Sequence, residues 1–128
     1  MIEAFTANLV ITALKALNWK ILRGDESETR SAQPDLVVSD PDGTKVYVIQ
    51  LKGGEEPMHF ATIAQAERNA RQFSSDGKAT VTSVLATSQD VRPRLSELAD
   101  DVGVQVVKAT GSDEEAAASV VQFLQSAP

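Results

Sequence analysis

The chain has no cysteine, and among its 128 residues there is one histidine, one tryptophan and one tyrosine. Without thiols there can be no disulfide and no thiolate metal site, which suits a reducing compartment. A lone His59 cannot build a histidine cage around zinc. Aromatic residues make up 5% of the chain, too few to hold a single strand chiefly by stacking its bases. No apolar run approaches the roughly 18 residues that cross a bilayer, and Glu3 stands where a secretory leader would carry basic charge. A phosphate loop, a GxGxxG turn, a GxSxG elbow and zinc-finger spacings are all missing, which removes the enzyme classes built on them. The expectation is one cytoplasmic domain over residues 1–128 with no membrane association.

Hydrophobic residues at 42% and charged residues at 23% are enough for an ordinary globular core. Net charge is −6. Residues 1–78 hold 9 basic and 11 acidic side chains, whereas residues 79–128 hold 3 and 7. Such a chain is steered away from polyanions unless a local basic patch or a partner corrects the field, although carboxylates remain available for a cation.

Hydrophobic spacing sets out the elements. Ile2, Phe5, Leu9, Ala13 and Leu17, with Val10 and Leu14, recur at helical intervals from Ile2 to about Asn18. A short strand follows at 19–22, then a polar loop over 23–33. Two β-branched runs, Leu36–Ser39 and Val46–Leu51, flank Pro41-Asp42-Gly43 and should form a hairpin. Met58 to Phe73 reads as a helix with Ile63, Ala66, Ala70 and Phe73 on one side; 80–87 is a strand, Val91 to Asp101 a helix and 104–109 a strand. The last helix opens at Ser112 as N-cap, with acids in its first turn and Val120, Phe123 and Leu124 for the core. The order α-β-β-β-α-β-α-β-α predicts an α/β sandwich around one mixed sheet.

The hairpin carries a sharper expectation. With a four-residue loop over 41–44, Asp40 faces Lys45, paired residue numbers total 85, and Asp35 falls opposite Gln50. Side chains alternate across a strand, so Asp35, Val37, Val48, Gln50 and Lys52 share a face, with a carboxylate, an amide and an amine about 5–7 Å apart. Asp35 alone, or Lys52 alone, would read as an ordinary strand end. Together they suit metal-assisted hydrolysis. Asp35 would supply a hard oxygen for Mg²⁺ or Mn²⁺, the Leu51 carbonyl another, and Gln50 a neutral one, while Lys52 would orient water or stabilise charge on phosphate. A neutral Gln50 makes a further acid valuable, and Glu3 on the first helix is the candidate. Equally, Glu3 is an ordinary first-turn helix acid.

Pro34-Asp35, then Gln50-Leu51-Lys52 at the end of the following strand, with a Glu3-bearing helix upstream, resembles the PD-(D/E)xK nuclease superfamily. Its Mrr-type restriction endonuclease branch has a QxK form, and the segment "VTSVLATSQDVRPRLSELADDVGVQVV" is similar to that branch too. The resemblance covers residues 3–108 and implies a restriction-endonuclease-like α-β-β-β-α-β core. It implies Asp35 as principal metal ligand, Gln50 in the second ligand position, Lys52 as catalytic lysine and Glu3, by position only, as the helix-borne acid. The departure is glutamine where the superfamily name has Asp or Glu. Gln65 falls where related nucleases place a polar residue near the site.

Several other residues admit two readings. Arg68 and Arg71, extended by Lys20, Arg23 and Arg30, would meet phosphates or simply form a solvated face. His59 would serve as a base or stand idle, Gly53–Pro57 would touch substrate or only leave the strand, and Trp19 reads as core or strand edge. The expected activity is Mg²⁺-dependent endonucleolytic hydrolysis of DNA, with a homodimer supplying one site per strand. The alternative is a nuclease-fold protein that no longer cuts and binds nucleic acid or a protein partner, within a defence, toxin–immunity or mobile-element system.

Overall fold

The computed structural model describes residues 2–23, 36–52, 60–73, 80–88 and 91–126. Four helices and five strands follow in the expected order: α1 Ile2–Ala16, β1 Lys20–Arg23, β2 Leu36–Ser39, β3 Lys45–Lys52, α2 Phe60–Phe73, β4 Thr80–Thr87, α3 Pro93–Val102, β5 Val104–Lys108 and α4 Asp113–Ser126. The strands form one sheet in the order β1-β2-β3-β4-β5. β2 is antiparallel to both of its neighbours, β1 and β3, whereas β3, β4 and β5 run parallel.

The hairpin register is the expected one. Leu36 pairs with Ile49, Val37 with Val48, Val38 with Tyr47 and Ser39 with Val46. Its turn is built locally: the Asp40 N–H donates to the Lys45 carbonyl at 3.1 Å, the Gly43 N–H donates to the Asp40 carbonyl at 3.0 Å, and Gly43 takes φ +77°. The Asp40 carboxylate accepts from the Thr44 N–H at 3.0 Å, the Thr44 hydroxyl at 3.2 Å and the Lys45 N–H at 3.2 Å. Desolvation pushes this carboxyl's pKa up, but the hydrogen bonds from Lys45, Thr44 and Gly43 together outweigh it and hold the pKa below the usual carboxylate range. A carboxyl depressed by folding stabilises the fold above its unfolded pKa, about 3.9, and loses that contribution as pH falls through the folded value. Asp40→Ala is therefore expected to cost about 1 kcal/mol at pH 7. The gap from wild type in urea midpoint should shrink when both are unfolded at pH 3.

The helices cover both faces of the sheet. On one face α1 and α4 pack Val10, Leu14, Ala117, Val120 and Leu124 onto Leu36, Val38, Tyr47, Ile49, Leu51, Val84 and Ala86. On the other, α2 and α3 bring Ile63, Ala66, Leu95 and Ala99 against Leu85 and Val104. The α1 stripe is rotated from the periodicity: Val10 and Leu14 are its fully buried centre, and Leu17 is 39% exposed. Leu17 sits where the helix stops. Asn18 adopts φ +70°, and the Trp19 and Asn18 N–H groups donate back to the Leu14 and Lys15 carbonyls, closing a Schellman-type end one residue past Leu17. Trp19 then packs its ring against Tyr47, centroids 5.8 Å apart.

The two later helices start and stop on local chemistry. α3 begins at Pro93 rather than Val91, because proline's fixed φ suits the first helical position. It ends at Gly103, whose φ of +83° lets its N–H reach the Ala99 and Asp100 carbonyls. In α4 the Ser112 hydroxyl accepts the Glu115 N–H at 3.1 Å while the Glu115 carboxylate accepts the Ser112 N–H at 2.8 Å, a reciprocal capping box. Among the described residues no helix is long and apolar enough to cross a membrane.

Candidate active site at the end of the third strand

β3 is where the antiparallel and parallel halves of the sheet meet. The chain leaves β3 and β4 at the same end, toward α2 and α3, and β2 begins beside that exit. α/β sheets commonly bind ligands beyond the carboxyl ends of their parallel strands. Gln50 and Lys52 are the last but two and the last residues of β3, so the motif read from the sequence sits at that end of the sheet.

The register sets out the positions around it. Gln50 pairs with Leu85, and Lys52 with Thr87, which pairs in turn with Lys108. Alternation places Gln50 on the face covered by α2 and α3, as its row neighbour Leu85 shows by packing with Ile63 and Ala66. Gln50 is half-buried, and its side-chain Oε1 is shielded from solvent with no hydrogen-bond partner among the described residues. A buried acceptor left without a donor costs about 1–3 kcal/mol. Bare neutral oxygens of this kind fit a hard divalent cation, which takes carboxylate, carbonyl and amide oxygens alike. Gln50→Leu is thus expected to raise the thermal midpoint of the cation-free protein, by an amount equivalent to about 1 kcal/mol or more, as read by calorimetry in chelator.

The remaining sequence candidates divide by location. Asp35 lies outside the described residues, as do His59 and the 53–57 loop. Glu3 is in the first turn of α1. That helix leads through Leu17–Trp19 into the start of β1, which runs parallel to β3, so the Glu3 end of α1 lies toward the end where β3 finishes. Gln65 is half-buried on α2. Its height is set by a buried bond in which the Ser83 hydroxyl donates to the Ala66 carbonyl at 2.9 Å. Arg71 lies nearly two turns beyond Gln65, beside Val81, Ser83 and Gly103, toward the opposite end of β4. The Glu67 carboxylate grips its guanidinium at 2.6 and 2.7 Å. That hydrogen bond, aided by the charges of Arg71 and Arg68, holds Glu67 below the usual range, and the same bond raises Arg71. Arg68 is exposed between them. The structure does not bring Arg71 to the Gln50 end.

One residue had no signal in the sequence. Thr87 ends β4 as an ordinary "AT", yet it is only 2% exposed and stands between Lys52 and Lys108. Its carbonyl accepts the Ala109 N–H at 2.8 Å, which carries the β4–β5 ladder one step past Lys108. Among the described residues no three His, Asp or Glu side chains gather as a metal cluster.

No protein-family model matches the sequence, and neither does any curated protein. Solved structures do match. The crystal structure of a repair endonuclease from Pyrococcus abyssi is 19% identical, with a TM-score of 0.61 over 83% of this chain and 46% of its own. The structure of an EndoMS–dsDNA2 complex is 16% identical, with a TM-score of 0.60 over 85% of this chain and 45% of that one. A protein of unknown function, AF1548, is 14% identical, with a TM-score of 0.58 over 95% and 66%. The chain thus spans just under half the length of the first two. At such identities the shared property is architecture: a mixed five-stranded sheet between two helical layers, the restriction-endonuclease-like fold.

Proposed function

We propose that this chain is a nuclease domain of the PD-(D/E)xK type, with the QxK form of the Mrr-type branch, that hydrolyses phosphodiester bonds of DNA with a divalent cation. The observation that carries this is the bare, buried Gln50 oxygen at the carboxyl end of β3, two residues before a lysine. Two findings support it. Continuing the observed β2–β3 register by one step would set residue 35 opposite Gln50, and two of the solved structures with this fold are endonucleases.

In this reading Asp35, Gln50, the Leu51 carbonyl and Glu3 hold the cation. When bound, Mg²⁺ or Mn²⁺ supplies positive charge beside the phosphate oxygens and lowers the pKa of water. The Lys52 ammonium donates to the phosphate oxygen on which charge builds as water adds to phosphorus and the ester oxygen departs. Gln65 contacts the substrate. Cutting a duplex takes two such sites, and two copies of the chain related by a two-fold axis supply them.

Supercoiled plasmid incubated with Mg²⁺ is expected to become nicked with wild type and to stay intact in chelator or with Asp35→Ala. Isothermal titration should show Mn²⁺ binding that Asp35→Ala abolishes. A second reading, a nuclease-fold module that binds but does not cut, is favoured by the net charge of −6 and by an amide in place of a carboxylate. It becomes the better account if wild type binds no Mn²⁺ and plasmid survives equally with wild type and variant.

A further inference from the structure

The apolar stripe of α1 is wider than the core it feeds. Val10 and Leu14 are fully buried, yet Leu9, Ala13 and Leu17 recur at the same helical interval along the flank. Leu9 and Ala13 stay half-buried, and Leu17, one turn past Ala13, is 39% exposed. Leu9 and Ala13 line a groove of about 460 Å³ with Val121 and the exposed Ala118 of α4. Glu114, in the first turn of α4, stands at one end of it. Its other polar lining groups are two neutral glutamines, and no basic side chain lines it.

The groove has a polarity. α1 turns tightly into β1, and α4 returns from β5. β1 and β5 both run with β3, so α1 and α4 point the same way and their N-terminal ends lie together. Helix dipoles aligned side by side repel, and a third helix laid antiparallel along the groove offsets them. Its C-terminal end falls beside Glu114, where lysine or arginine suits both that helix's own dipole and the carboxylate. Glu115 is committed to the capping box with Ser112, whereas Glu114 is exposed and makes no hydrogen bond or ion pair among the described residues. α4 carries three acids in its first turn and no base anywhere along it.

A second copy presenting the same face would set groove against groove and leave both unfilled. A helix is a ridge, and an amphipathic helix seats its apolar face in such a groove through side chains at i, i+4 and i+7. We propose that the α1/α4 groove receives an amphipathic helix of a partner protein, antiparallel to α1 and α4, with lysine or arginine in its last turn over Glu114. Its apolar side chains cover Leu9, Ala13 and Val121. The proposal concerns a face of the sheet opposite the one Gln50 occupies and does not depend on the nuclease reading.

The probe is a fluorescein-labelled synthetic helical peptide as long as α4, with leucine and alanine on one face, serine and glutamine on the other, and two lysines in its last turn. A second peptide moves the lysines to the first turn, and a third replaces them with glutamates. Fluorescence anisotropy with the full chain at low salt should show the first binding about tenfold more tightly than the third, with the second between them. Glu114→Gln should narrow that difference. Ala118→Trp, which fills the groove from an exposed position, should abolish binding, and circular dichroism confirms that both variants are folded. Failure of the first peptide to bind, or equal binding to wild type and Ala118→Trp, would overturn the docking site. Equal affinity for all three peptides would overturn the assigned polarity. Sedimentation showing a wild-type dimer that Ala118→Trp turns into a monomer would give the groove to a second copy instead.

Discussion

Lys52→Ala is expected to lower Mg²⁺-dependent plasmid nicking at least about 100-fold while leaving the thermal midpoint within ~1 kcal/mol of wild type. The magnitude follows from what a single preorganised donor contributes when it acts on charge that develops only in the transition state. The small stability effect follows from where the residue sits. Lys52 is the last position of β3, past the row in which Gln50 and Leu85 adjoin the α2/α3 core. Its backbone pairing with Thr87 does not depend on the side chain. Truncation therefore takes no apolar contact from the centre of the sheet. Gel densitometry of nicked and supercoiled plasmid at saturating Mg²⁺ gives the rate ratio. A variant that nicks at the wild-type rate would remove Lys52 from the chemistry. A variant that also loses several kcal/mol would show the residue to be structural.

The largest stability effect is expected at Ile49. This residue is fully buried in β3, the middle strand of the sheet, and packs beneath α1 among Leu36, Val38, Tyr47 and Val84. Ile49→Ala removes three carbon atoms from a site whose walls come from three strands and a helix, so the space cannot readily collapse. The cost should be about 2–5 kcal/mol, a large share of the ~5–15 kcal/mol that holds a domain of this size together. Urea unfolding should show a lowered midpoint with an unchanged slope. Its contrast with Lys52→Ala, three residues on, tests how the strand divides between core and proposed site. Ile49 and Leu51 face the α1/α4 layer, and Gln50 the other.

The hairpin was legible because its determinants are neighbours. Asp40, Gly43, Thr44 and Lys45 make the turn with bonds spanning no more than five residues. A turn of set length leaves one register compatible with burying Leu36, Val38, Tyr47 and Ile49 together. The ends of α3 and α4 were legible for the same reason: Pro93, Gly103 and Ser112 act on backbone within a turn of themselves. The rotation of α1 was not. Its stripe is broad enough to be centred on either Leu9–Ala13 or Val10–Leu14, and only packing against α4 and the sheet chooses.

By itself, then, the sequence determined the order of the elements, the hairpin register, and the placing of Gln50 and Lys52 two apart at a strand end, since each depends on local backbone chemistry and on period. Tertiary structure alone decided that β4 and β5 lie parallel beside β3 and in which register. That choice buries Thr87 between the backbones of two lysines, draws Arg92, Arg94 and Lys108 to one end of the sheet, and sends Arg71 to the other end with Glu67. Parallel pairing joins strands separated by a helix, and its alignment is selected by how that helix packs, as in the Ser83 bond to Ala66. No pattern within a strand records that choice.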